Sequence, residues 1–142
     1  MIHRVLVDCD VVLDLLLARE PFSPAATDLF MLFQEGSLEG YTSPLAFSNL
    51  FYILRKGSPP SEAINSLRKL KLLLGVLPMN ESIVDRALSS SFSDFEDALQ
   101  YYTAIAHNLD AIVTRNKRDY KLPKILVLSA AECVEVVRAQ RH

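Results

Sequence analysis

The sequence predicts a three-layer α/β domain, a parallel sheet with helices on both faces. Two observations carry this. Short β-branched or apolar runs alternate with longer amphipathic segments from end to end. Serine, asparagine or aspartate starts open most of the amphipathic segments, and glycine closes several of them. No repeat, low-complexity tract or linker divides the 142 residues, so residues 1–142 are expected to form one domain.

Val5-Leu6-Val7 is a β-branched-rich run ending in Asp8, which reads as a buried first strand. Val11 to Leu17 is apolar nearly throughout and precedes the Pro21-Phe22 break, which predicts a short buried helix. Ser23-Pro24 supplies a cap followed by proline at the first helical position. Leu29, Phe30, Leu32 and Phe33 give that helix its apolar face, and Gly36 stops it. Tyr41-Thr42 is the second strand. Ser43-Pro44 repeats the cap-and-proline signal before a helix carrying Phe47, Leu50, Phe51 and Leu54, with Gly57 as its stop. Ser58-Pro59-Pro60-Ser61 opens the next helix, where Ile64, Leu67, Leu70 and Leu74 follow at three- and four-residue spacing. Val76-Leu77-Pro78 is the third strand candidate, and Asn80 caps a helix running to about Ser89. Asp94, with Asp97 three residues on, starts a helix in the manner of a capping box. Its apolar positions include Ala98, Tyr101, Ile105 and Leu109. Ala111 to Thr114 and Leu126 to Leu128 are strands four and five. Ser129 with Glu132 starts a last helix carrying Val134, Val136 and Val137.

Composition narrows the function. Half the residues are apolar, enough for one contiguous core. Net charge is −2, so no global positive field marks a nucleic-acid binder, and any such contact needs a local basic patch. The longest apolar run, Leu72 to Pro78, is far below the ~20 residues of a membrane span. The short apolar N-terminus that meets Asp8 does not fit a secretory leader. Cys9 and Cys133 lack metal-ligand spacing and are expected as reduced thiols of a cytoplasmic protein.

The carboxylates carry the chemical information. In open parallel sheets, ligands bind outside the carboxyl ends of the strands, where chain order reverses. Asp8 ends strand one and Asp10 follows in the turn. Asp94, Glu96 and Asp97 head the helix before strand four, and Asp119 lies in the loop after it. If strands one and four are neighbours, Asp8, Asp97 and Asp119 meet at one end of the sheet. Acids converging without matched cations repel one another unless protons or a metal ion intervene. An all-oxygen set suits Mg²⁺ or Mn²⁺, and no His-Cys set argues for zinc. Such ions clamp phosphate oxygens and activate water for attack on a phosphodiester. Asp94 is expected mainly as a helix cap. Asp10 divides between capping and the site, whereas Asp8 has no capping explanation of comparable strength.

Two segments resemble a known family. VLVDCDVVLDLLLAREPF, Val5 to Phe22, is similar to the opening of PIN domains, particularly the VapC-type toxin branch. DFEDALQYYTAIAHNLDAIVTRNKRDY, Asp94 to Tyr120, resembles the second and more specific signature, joining an acidic helix start, a strand and a Thr-Arg-Asn loop. The resemblance implies a Rossmann-like five-stranded parallel sheet and a Mg²⁺- or Mn²⁺-dependent endoribonuclease. It also implies a homodimer, and a toxin silenced by an antitoxin partner. Carried over by position, Asp8, Asp97 and Asp119 match the metal carboxylates, and Thr114 and Asn116 match supporting polar residues. Glu96 matches an acid beside Asp97, although helix geometry turns neighbours about 100° apart. Two departures stand out. Asn49 occupies the position where the family usually has glutamate, and Asp10 occupies a usual asparagine. Asp10 is therefore expected to return the charge missing at Asn49.

Arg115, Lys117, Arg118, Lys121 and Lys124 cluster around Asp119 and are candidate RNA contacts, Arg115 first among them. Ser48 is a candidate to orient a ligand or water. Cys9 is expected to be a small buried residue, and Tyr101 and Tyr102 to be core. Two rivals remain. One is a haloacid-dehalogenase-like phosphatase, whose Asp-x-Asp opening Asp8-Cys9-Asp10 imitates with Asp8 as nucleophile. The other is a PIN-fold binding scaffold, motivated by Asn49.

Overall fold

The computed structural model describes residues 1–120 and 124–141, so Lys121 lies outside the described residues. Five parallel strands form one sheet: β1 (Arg4–Val7), β2 (Glu39–Thr42), β3 (Leu74–Val76), β4 (Ala111–Val113) and β5 (Leu126–Leu128), in the order β3-β2-β1-β4-β5. Among the described residues seven α-helices surround it: α1 (Cys9–Leu16), α2 (Ser23–Gln34), α3 (Pro44–Arg55), α4 (Pro60–Lys71), α5 (Glu81–Leu88), α6 (Phe95–Ala106) and α7 (Ala130–Gln140).

The central strands β1 and β4 are buried on both faces, which is why they read as apolar runs. Side chains alternate along a strand. Val5 and Val7 of β1 and Ala111 and Val113 of β4 enter one core with residues of α1, α2, α3, α4 and α7. Leu6 and Ile112 enter the opposite core with Tyr101 and Ala104 of α6, joined by Leu77, Tyr120 and Ile125. The expected three layers are thus present. Leu6 pairs with Tyr41 on one side and Ile112 on the other. The chain steps outward from β1 through β2 to β3, then crosses back to place β4 on the far side of β1. The order reverses between β1 and β4, which puts the ligand crevice at their carboxyl ends.

Several boundaries differ from the sequence reading. The third strand begins at Leu74, which pairs with Gly40, rather than at Val76. The four-residue step from Leu70 imitates helix period, but α4 ends at Lys71. Leu109 falls beyond α6, because Asn108 turns to φ 56°. The Leu109 N–H then donates to the Ala104 carbonyl and the Asn108 N–H to the Ile105 carbonyl, a Schellman closure. Gly36 closes α2 in the same way at φ 78°, as its stop signal suggested. Ser23 is the first residue of α2 rather than its cap. Strand β1 passes straight into α1 with no intervening turn, so Asp8 both ends the strand and caps the helix. Asp10 lies inside the first turn of α1 and is not its cap.

Candidate active site

Asp8 is fixed between β1 and β4. Its N–H donates to the Val113 carbonyl at 2.9 Å, prolonging the ladder one residue past the strands. Its side chain collects donors from three elements. Oδ1 accepts the Cys9 N–H at 2.8 Å and the Gln100 amide at 3.2 Å, while Oδ2 accepts the Thr114 hydroxyl at 2.9 Å. The Tyr120 hydroxyl lies 3.3 Å from Oδ2 of Asp8 and 3.5 Å from Oδ1 of Asp97, so one phenol stands between the two acids and its single proton goes to the nearer, Asp8.

The first turn of α6 delivers the acids. Asp94 caps the helix by accepting the Asp97 N–H, as its sequence position suggested. Burial, with Asp94, Asp8, Asp119 and Glu96, pushes the Asp97 carboxyl up to about 7. Burial, then Asp94 and Asp8, also raises Glu96, which accepts a short hydrogen bond from the Asn49 amide of α3. Asp119 ends a 3₁₀ turn, Lys117–Asp119, and is exposed. Its charge is among those that raise Asp97.

Asp10 sits on the loop side of the crevice. Its Oδ2 accepts the Arg115 N–H at 3.2 Å and the Asn116 amide at 3.3 Å, with the Thr114 hydroxyl at 3.5 Å. A threonine hydroxyl has one proton, and the shorter contact assigns it to Asp8. Oδ1 of Asp10 is buried without a hydrogen-bond partner. Burial and then Asp8 push the Asp10 carboxyl up to about 6. Among the described residues, no three His, Cys, Asp or Glu side chains are already drawn together tightly enough to form a closed metal site. The acids are coupled through their fields, with Tyr120 between Asp8 and Asp97, rather than by direct contact.

The basic residues are disposed differently from one another. The Arg115 Nε lies 3.1 Å from Oδ2 of Asp14, an ion pair without hydrogen-bond alignment, and its guanidinium covers the Phe22 ring at 4.1 Å. Lys117 pairs with Glu132 at 2.8 Å on the surface. Arg118 and Lys124 are exposed and make no ion pair among the described residues. Arg115 to Asp119 together line a surface cleft. Ser48 is exposed on α3, without a side-chain hydrogen bond among the described residues. Cys9 is partly buried, and burial with the charges of Asp8, Glu96 and Asp10 pushes its thiol up to about 12, which excludes a ready thiolate. Tyr101 is wholly buried, in accord with a core role.

Three residues at the site escaped the sequence reading: Gln100, Tyr120 and Asp14. Gln100 is 3% exposed and lies three and four residues beyond Asp97 and Glu96, the spacing that returns to one helix face. Asp14 stands four residues after Asp10 in an otherwise apolar helix, which was the available signal.

The sheet is parallel and doubly wound, and its acids gather near the β1/β4 switch point. A family model described as a PIN domain matches residues 4–118, and the chain belongs to the PIN domain family. Solved structures share the fold. A toxin–antitoxin complex from Klebsiella pneumoniae superposes with a TM-score of 0.67 at 18% identity, covering 90% of this chain and 98% of that one. A Pyrobaculum aerophilum protein gives 0.64 at 19%, covering 97% and 91%. The VapC20 toxin of Mycobacterium tuberculosis, described as cleaving the sarcin–ricin loop, gives 0.60 at 15%, covering 76% and 86%. A search of curated proteins gives no match. No helix among the described residues is long and apolar enough to cross a membrane.

Proposed function

We propose that this chain is a divalent-metal-dependent endoribonuclease, the toxin of a toxin–antitoxin pair, working in the cytoplasm as a single-domain protomer of a homodimer. The observation that carries the reading is the approach of Asp8 and Asp97 to the same phenol, Tyr120, at the switch point, with Asp97 raised to about 7 by burial and then by its acidic neighbours. Family membership supplies the prior for a nuclease. The toxin–antitoxin complexes among the structural neighbours motivate the antitoxin partner.

The residues present fit Mg²⁺ or Mn²⁺. Their donors are oxygens, burial and then neighbouring acids raise the Asp97 and Asp10 carboxyls, and Oδ1 of Asp10 is buried and unpartnered. Asp8, Asp97 and Asp119 would hold the ion, with Glu96 and Asp10 beside them. A bound ion supplies charge for the phosphodiester oxygens and acidifies water at the site.

The protein's own groups do the rest. Gln100, Thr114 and Tyr120 fix the orientation of the Asp8 carboxylate, and Asn49 holds Glu96 toward it. Asn116, which bonds both Thr114 and Asp10, keeps the loop closed on the acids. Lys117 and Arg118, beside Asp119, draw the RNA backbone into the cleft. Asp10 supplies the negative charge that Asn49 does not, so Asp10→Asn is expected to weaken metal binding strongly. The family match over residues 4–118 favours the nuclease over the phosphatase alternative.

The test is cleavage of a structured RNA panel by wild type and Asp97→Asn, with Mg²⁺, Mn²⁺ or chelator. Metal-dependent cutting that the substitution abolishes supports the reading. A second reading, a binding scaffold, is favoured by the neutral Asn49, whose amide is committed to Glu96. Antitoxin binding that survives Asp8→Asn, with no turnover by wild type under either metal, would select it.

A further inference from the structure

Asp14 has no place in the proposed ion site, yet among the described residues it is the one charged side chain in the buried set, at 1% exposure. A carboxylate in a core is tolerated only with a partner. That partner is Arg115, and its position is informative. Asp10 and Asp14 lie four residues apart, on one face of α1. Asp10 accepts the backbone N–H of Arg115, and Asp14 faces its guanidinium at 3.1 Å. One helix thus grips one residue at both ends. The Phe22 ring, 4.1 Å from the guanidinium, restrains it from a further side.

The gripped residue is the centre of the site loop. Thr114 before it donates to Asp8, and Asn116 after it donates to Asp10 and to the Thr114 oxygen. Asp119 follows on the same loop. An arginine turned outward to a phosphate would take from the buried Asp14 the stronger of its two cations and its sole ion pair among the described residues, leaving the weaker field of Arg19, which is the costly outcome.

We infer that Asp14 is a positioning residue of the carboxylate site, acting through Arg115 to fix the Thr114–Asp119 loop, and that Arg115 is a strut rather than an RNA contact. The inference rests on the metal-nuclease reading. It divides the basic cluster in two: Arg115 serves the ion site, and Lys117 and Arg118 serve the RNA backbone.

The test uses the full chain and three readouts: Mn²⁺ affinity by calorimetry, binding of a labelled RNA hairpin in chelator across a salt series, and the melting temperature. Asp14→Asn and Arg115→Met are each expected to weaken Mn²⁺ binding by about tenfold, the scale of outer-shell substitutions. Their double variant should be no worse than either single one, because both break the same link. The slope of log affinity for RNA against log salt should be unchanged in Asp14→Asn and Arg115→Met. Lys117→Ala and Arg118→Ala should each reduce it by about 1. Arg115→Lys leaves Asp14 a cation and so keeps the protein folded, but it lacks the planar fork. It should melt as wild type does and still bind Mn²⁺ severalfold more weakly. Wild-type Mn²⁺ affinity in Arg115→Lys and in a folded Asp14→Asn would overturn the inference, as would a salt slope that falls by about 1 in Arg115→Met. Wild-type protein that binds no Mn²⁺ would overturn the metal-site reading and this inference together, a result distinct from binding that the variants retain.

Discussion

Asp97 faces the combined field of four other acids from a partly buried position, and its protonation is therefore linked to folding. An acid whose folded pKa stands above its unfolded value binds extra protons in the folded state between the two values. Asp97, raised from 3.8 to about 7, and Asp10, raised from 3.8 to about 6, contribute stability that is fully present below 3.8 and lost as pH climbs through 6 and 7. Melting of the metal-free protein should fall from about pH 5 to about pH 8, and Asp97→Asn should flatten that fall. Mn²⁺ should restore the loss in wild type and not in the variant. Gln100→Leu keeps the volume at α6 but removes a donor from Asp8. It should weaken Mn²⁺ binding by about 10–100-fold with melting nearly unchanged, measurable by calorimetry. Asp8 and Asp97 were legible in the sequence because acids beside apolar strands and at helix starts stand out. Gln100 and Tyr120 were not, since an amide in a helix and an aromatic after a loop acquire meaning only when α6 and the β4–β5 connection fold over Asp8.

Element boundaries followed their punctuation at several glycines and polar caps, though not at Ser23. Gly36, Ser43, Asn80, Asp94 and the Ser129–Glu132 box all act as read. They failed where a non-glycine residue takes the left-handed conformation. Asn108 at φ 56° ends α6, and Ala18 at φ 49° ends α1, with the Arg19 N–H returning to the Asp14 carbonyl. Alanine is strained there, so Ala18→Gly should raise stability by about 1 kcal/mol, visible as a higher urea midpoint with unchanged slope. Gly40 marks the opposite constraint. A Cβ on it would come within 2.6 Å of both Leu74 and Phe33, where β2 lies under α2 and beside β3. Gly40→Ala should therefore destabilise by about 1–3 kcal/mol in the same measurement.

At the scale of the molecule, a parallel sheet of five strands was readable from alternation alone, but the order was not. Nothing local in β4 says that it adds beside β1 rather than beyond β3, and that choice creates the crevice. The pairing of Leu6 with Ile112 turned three separate acidic signals into one site. A ligand held only by the folded state stabilises it by about 2.7 kcal/mol at a hundred times its dissociation constant. Saturating Mn²⁺ should accordingly raise the melting temperature by roughly 5–10 °C for a domain of this size, and chelator should reverse it. The exposed cations near Asp119 should make RNA binding strongly salt-dependent despite a net charge of −2.

The most direct test of the central claim is the end chemistry of RNA cut by wild-type protein in Mn²⁺. Carboxylates at the β1/β4 crevice that hold an ion for attack by water should yield linear phosphate ends, with all cutting lost in chelator and in Asp97→Asn. Products ending in 2′,3′-cyclic phosphate, or cutting that persists without metal, would contradict the account.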